Sequence, residues 1–368
     1  MIGMALLAIL MCVNFASCSS DDEALENPGK NEYGLPTNIA KNIIVYKTSD
    51  NVIIRLNNED VFGGAKIIEN SYSTTNGYGT ITFSSEVTEI EEYAFHDFKD
   101  RLIAIVLPAS VINIGNSAFF DCKNLTSITI PKSVTSIGRS AFEGCTSLTS
   151  IKISKSVTHI GEDAFKGCSG LTSIVVEKGN KKYYSSIINN NSDKNCFIIE
   201  TETNTVIAGC GNSNKSVWLP DNVTSIKEYA FYNIDNLKKI TFPISLERIG
   251  EGAFQNCKNL QFVPMMPPIK NSRLTSIGMY AFYGCSQISS ISIPPSVKII
   301  GAYAFSGCSK LRSIYVYATT PPDIDYSTFP SSIYTNPYTH VKVPKGSLAA
   351  YKTAYGWKNF SNIEESDY

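Results

Sequence analysis

Histidine is scarce in this chain, with three in 368 residues, at His96, His159 and His340. They are far apart, and no Cys-x-x-Cys pair joins them, so a tetrahedral zinc site has no ligand set. No nucleophile elbow, zincin helix or glycine-rich phosphate loop is present. The 33 acidic residues show no spacing that singles out a catalytic pair. Excess charge is also missing: the formal net charge is −1 and the pI about 6.3. A nucleic-acid surface needs a basic face, so no nucleic acid partner is expected. Long apolar runs are absent too. The run from Ala5 to Val13 has nine residues, too few to span a bilayer and the size of a signal-peptide core.

What the chain has instead is repetition. Ala-Phe pairs end at Phe95, Phe119, Phe142, Phe165, Phe231, Phe254, Phe282 and Phe305. The steps between them are 24, 23, 23, 66, 23, 28 and 23 residues. Self-similarity at 20 to 30 residues is the signature of stacked coils. In the coil from Ala118 to Gly138 the apolar positions are Phe119, Leu125, Ile128, Ile130, Val134 and Ile137. Alternation ending at Ile130 predicts a strand, which Pro131 stops because it has no N–H to give a ladder. Val134 to Ile137 predicts a second short strand, and Gly138 a sharp turn. The stretch from Arg139 to Gly144 predicts one helical or 3₁₀ turn that points Phe142 inward. A single coil cannot cover its own two faces, so stability comes from the coils above and below.

Cys122, Cys145, Cys168, Cys257, Cys285 and Cys308 each follow the repeat phenylalanine by three residues. Equivalent residues of a parallel stack lie side by side, which suits disulfide geometry poorly. They are expected as buried thiols that act as small apolar fillers. Phe98 and Ile234 occupy the same position in two other coils, as packing residues would.

Phe142-x-Gly144-Cys145-x-x-Leu148-x-x-Ile151-x-Ile153, followed by Ser156-Val157-Thr158-x-Ile160-Gly161, resembles the BspA-like (Treponema-type) leucine-rich repeat. The match runs from about Glu86 to Tyr317. The resemblance implies a β-rich α/β solenoid: a right-handed leucine-rich-repeat array with short strands and single helical turns in each coil. Members of that family are typically bacterial surface or secreted proteins, some of them adhesins, and they supply no catalytic residue or cofactor to carry over. The segment from Val341 through Phe360 is similar to the closing segment common in the family.

The domain reading follows. Residues 1–17 are a lipoprotein signal peptide and 18–36 a flexible polar tether. Residues 37–85, with strand-like runs at Ile43–Tyr46, Val52–Leu56 and Thr80–Phe83, form an N-terminal β cap. The solenoid spans 86–320 and a C-terminal cap 321–368. Phe15-Ala16-Ser17-Cys18 resembles a lipobox, with Phe15 in place of the usual leucine, and the acidic run Asp21-Asp22-Glu23 resembles the export signal of Bacteroides-type surface lipoproteins. Cys18 is then the lipidated residue; the alternative is a plain secretory signal and a solvated linker.

The 66-residue step predicts a β-hairpin insertion at 177–216, folded about Thr203. That fold brings Cys196 opposite Cys210, as a cross-strand disulfide or as unpaired thiols. The 28-residue step predicts a bulged loop between Gln261 and Leu274, either a binding loop or a neutral insertion.

Strand positions alternating with the buried isoleucines predict two outward rows. One holds Thr129, Lys152, Val175, Trp218, Thr241, Ser292 and Tyr315; the other holds Lys239, Phe262 and several serines. Trp218, Phe262, Tyr315 and Tyr317, with Lys152 and Lys239, form the candidate binding surface, since exposed aromatics anchor proteins and sugars. The competing reading is a set of ordinary strand-forming residues. The function expected is a non-catalytic, monomeric surface protein held at the outer membrane only through its lipid, with a protein or glycan ligand. A structural or accessory subunit of an outer-membrane complex is the alternative.

Overall fold

The computed structural model describes residues 29–56, 62–185, 197–211, 217–261 and 271–367. The chain winds as a β-solenoid of about eleven turns with little helix. Each coil has three sides. The first carries the longer strands, paired in parallel from coil to coil: Leu102–Val106 with Ser127–Thr129, and Ser150–Ile153 with Ser173–Val176. The second carries two-residue strands in register, Glu89–Ile90, Asn113–Ile114, Ser136–Ile137 and His159–Ile160. The third is the turn side, and its backbone is also tied coil to coil. Phe95 N–H donates to Ala118 O at 2.8 Å, Phe119 to Ala141 at 2.8 Å and Phe142 to Ala164 at 2.8 Å.

The repeat phenylalanines meet in the core. Phe95, Phe119, Phe142 and Phe165 stack at centroid separations of 5.0, 5.2 and 5.6 Å, their planes within 3°. Phe231, Phe254, Phe282 and Phe305 form a second stack, which Phe329 extends at 5.5 Å. Phe329 lies beyond the eight Ala-Phe pairs because Thr328 stands where the repeat has alanine. Each in-phase cysteine is more than a filler. Its Sγ donates to the carbonyl of the preceding coil's phenylalanine, from 3.0 Å for Cys168 to 3.4 Å for Cys122. Burial pushes these thiols upward, to about 12 for Cys168 and Cys257.

The expected helical turn is 3₁₀ only at His96–Phe98; the other coils have isolated hydrogen-bonded turns. The cause is a left-handed residue two places after the phenylalanine, such as Asp121 (φ 59°), Gly144 (76°) and Asn256 (61°), which stops a helix from propagating. Asp97, at that position in the first coil, is not left-handed, and there the 3₁₀ turn forms.

At the N-terminal end, Ile43–Thr48, Ile67–Ser73 and Tyr78–Phe83 are antiparallel, and Ile43–Thr48 pairs antiparallel with Leu102–Val106. The ladder edge of the first coil is therefore occupied, which blunts edge-to-edge association. At the other end His340–Pro344 lies between Ser313–Val316 and Ile363–Ser366. The buried Trp357 ring packs against Phe329, and its Nε1 donates to Pro322 O at 2.8 Å.

The 66-residue step differs from expectation in one respect. Phe197–Glu200 and Thr205–Gly209 do form an antiparallel pair, but Thr205–Gly209 also pairs in parallel with Ser225–Ile226. Gly209 N–H donates to Ala230 O at 2.7 Å, the bond a repeat phenylalanine makes elsewhere. The step therefore contains an edited coil, with Ala208-Gly209 in place of Ala-Phe. A Cβ on Gly209 would lie 2.0 Å from the Phe231 ring, which takes the vacated space. The ring stack stops at Phe165 and resumes at Phe231, leaving a seam between two stacks. Cys210 is buried; Cys196 lies outside the described residues, as do Cys18 and most of the bulged loop.

Candidate functional site

The first-side strands fix which side chains point outward, because successive residues alternate across a strand. Lys152 is aligned with Val175, Trp218 with Thr241, and Tyr315 between Ser292 and Lys342. Thr129, Lys152, Val175, Trp218 and Lys239 are exposed, as expected. Thr241 is not: it is buried at 4%, beside the buried Phe242. Trp218 is 45% exposed and is the largest open ring of this row. Lys152 is committed to Glu177, Nζ to Oε1 3.4 Å; the Lys155 backbone N–H, donating to Glu177 at 3.0 Å, and then the Lys152 ammonium hold the Glu177 carboxyl below its usual range.

Tyr315 and Tyr317 are half-buried, and burial with the nearby Tyr315 raises the Tyr317 hydroxyl. Tyr315 belongs to the C-terminal four-stranded sheet, whereas Trp218 lies in a two-stranded pair with Ile240–Thr241. No ring contact joins Trp218 to Tyr315 among the described residues, so these aromatics do not meet as one cluster. Phe262 lies outside the described residues.

A second aromatic set lies on the turn side. Tyr93, Tyr229, Tyr280 and Tyr303 each stand two places before the repeat phenylalanine, all left-handed with φ between 56° and 59°. Bulky residues rarely take this conformation, so the surrounding backbone ladder must impose it. Tyr280 stacks on Tyr303 at 5.1 Å with planes 4° apart, and packs edge-on against Tyr283 at 5.6 Å. Tyr229 meets Tyr232 at 5.9 Å, and its hydroxyl donates to Glu251 Oε1 at 2.8 Å. Burial and that carboxylate push the Tyr229 hydroxyl up to about 12. Lys166 Nζ sits 4.2 Å over the Tyr229 ring and pairs with Glu143 at 3.3 Å and Asp163 at 3.5 Å. Burial raises Asp163 even so, with Lys166 opposing. The sequence signal for this set is the recurring Tyr-Ala-Phe, whose tyrosine falls in a turn, where strand alternation does not apply.

The histidines remain apart. His96 lies on the turn side beside Phe120, His159 on the second side, and His340 3.4 Å from Glu364. Among the described residues no three His, Cys, Asp or Glu side chains converge as metal ligands. What these surfaces offer is recognition by ring faces, hydroxyls and charged groups on a stiff frame.

Residues 65–195 and 203–336 match the family profile described as BspA type leucine rich repeat region, in six copies. Among solved structures, a leucine rich cell surface protein from Faecalibacterium prausnitzii is similar at 29% identity and a TM-score of 0.55. That likeness covers 77% of this chain and 65% of the Faecalibacterium protein, so the chain spans just under two thirds of that protein's length. The pneumococcal vaccine antigen PcpA shares the fold at 22% identity and a TM-score of 0.60, over 77% of this chain and 72% of that one. No curated protein matches the chain.

Proposed function

The chain belongs to the BspA-type leucine-rich repeat family, and from that premise we propose that it is a non-catalytic recognition protein displayed at the bacterial cell surface. Its frame is a right-handed array capped at 37–85 and 321–368, and its anchor is a lipid on Cys18 at the outer membrane. Its ligand is a protein or glycan outside the cell. The observation that carries this reading is the exposed side chains set at coil spacing on a frame bonded along all three sides, with the open Trp218 ring among them. Solenoids present extended surfaces of this kind to their partners. The cell-surface description of the Faecalibacterium protein supports the location, and the sequence around Cys18 supports the anchor. Several acyl chains on one cysteine hold firmly, since each buried methylene contributes about 0.8 kcal/mol.

Binding of the purified chain to immobilised extracellular-matrix proteins and mucin glycans tests the reading. Saturable binding that Trp218→Ala weakens is expected; no binding to any of them, on protein or on whole cells, would sink it. For the anchor, Cys18→Ala is expected to abolish lipid labelling and release the protein from membranes, and unchanged retention would contradict it.

A further inference from the structure

The seam is more than a missing ring. On the second side the ladder from Glu89–Ile90 ends at His159–Ile160, and the next sheet starts with Tyr183–Tyr184 and the hairpin. The Ile160 N–H donates to the Tyr183 hydroxyl at 2.9 Å, so a side chain takes the place of the next strand. On the turn side the Phe142-to-Ala164 bond has no successor from Phe165 to Ala208. A cleft of about 290 Å³ lies over the second-side strands here, next to a void of about 20 Å³ beside Phe165 and Tyr229. The two share Ile160, Ile207, Lys227 and Glu228 in their walls.

We propose that this cleft is a binding site for a neutral saccharide of one or two sugar rings. Small-molecule sites begin at about 300 Å³, so the size fits a ligand of this class. Ile160 and Ile226 are buried beneath the cleft, Ile207 gives it an apolar spot, and most of its lining is polar, from Thr205, Ser225 and the charged side chains, which suits a ligand with many hydroxyls. The walls supply donors from Lys227 and Arg248, an acceptor from Glu228, and the Thr205 and Ser225 hydroxyls that do both, while Glu200 is already engaged by Lys182 at 3.4 Å and by the Thr203 hydroxyl at 2.7 Å. A polyhydroxylated ring answers donors and acceptors together.

Lys227, Glu228 and Arg248 make no ion pair or side-chain hydrogen bond with another described residue, in contrast to Lys166 and Lys182 nearby. An extended peptide is disfavoured: Thr205–Gly209 is paired on both sides, and at the end of the other ladder the Ile160 N–H that a peptide strand would use is already taken by the Tyr183 hydroxyl.

This inference rests on the recognition reading but not on the sheet-side row. Isothermal titration of the full chain with neutral trisaccharides of glucose, mannose, galactose and N-acetylglucosamine tests it, with a sialylated trisaccharide and an acidic peptide as comparisons. At least one neutral sugar is expected to bind with a Kd of about 1 mM or tighter. Arg248→Gln and Glu228→Gln should each weaken it tenfold or more with thermal midpoints unchanged, while Lys298→Gln, exposed on a later coil outside the cleft, leaves it intact. The inference is overturned if no neutral sugar binds, if binding survives both substitutions, or if only the charged sugar or the peptide binds. Matrix-protein or mucin capture that persisted after such a failure would leave the broader reading standing.

Discussion

Phe142 and Phe165 are the same letter of the repeat in different surroundings, and replacing each by alanine separates stacking from burial. Phe142 is fully buried between two rings, at 5.2 and 5.6 Å. Phe165 is 7% exposed and touches one ring of the stack. Truncating a buried phenylalanine costs about 3–5 kcal/mol through lost transfer energy and the cavity left behind. Each aromatic pair adds about 0.5–1.5 kcal/mol beyond buried area. Phe142→Ala loses two such pairs and leaves an enclosed cavity. Phe165→Ala loses one and opens into the seam. The expected cost is therefore about 4–5 kcal/mol for Phe142→Ala and about 1 kcal/mol less for Phe165→Ala. Urea unfolding followed by circular dichroism reads both. An equal or larger cost at Phe165 would refute the claim that the stack ends there.

Gly144 (φ 76°) and Gly284 (φ 73°) are left-handed where other coils use asparagine or aspartate. A Cβ on Gly284 would meet Asn256 Oδ1 at 2.6 Å, a side-chain atom able to shift. Gly284→Ala should thus cost about 1 kcal/mol and Gly284→Asn less, since asparagine tolerates this region; the reverse order of melting points would contradict it. The six in-phase thiols should resist a thiol reagent at pH 8 in the folded protein and react on unfolding; reaction of any of them in the native state would overturn their buried placement. Their raised values also set a pH dependence. The unfolded thiols ionise near about 8.5 while the folded ones stay protonated, so the unfolded state binds fewer protons and stability falls as pH rises above that value. A thermal midpoint flat from pH 8 to 10 would count against it. The Lys152–Glu177 pair is exposed on the lysine side, so Lys152→Ala should change stability by less than about 1 kcal/mol; a larger loss in the same unfolding assay would show a role beyond the surface.

The coils were legible because Phe, Leu and Ile at fixed spacing are core letters whatever their neighbours do. Other features depended on relations between coils. The thiol donors became visible only once the carbonyl of the preceding coil was in place. Gly209 was hidden because a coil that omits its ring also omits the letter by which coils are counted. Phe329 was hidden by Thr328. Trp218 faces outward as alternation requires, whereas Thr241 shares its register and is buried, since burial also depends on what lies over the strand. The tyrosines of the turn side were not legible from alternation, because period two applies to strands, whereas these side chains are placed by left-handed turn residues.

Residue-resolved amide hydrogen exchange of the native chain tests the seam most directly. Phe142 N–H, bonded to Ala164 O, and Phe231 N–H, bonded to Ala253 O, both at 2.8 Å, should be strongly protected. Phe165 N–H, which makes no such bond with another described residue, should exchange far faster than either. Equal protection at all three would show one continuous stack, and with it no seam and no cleft.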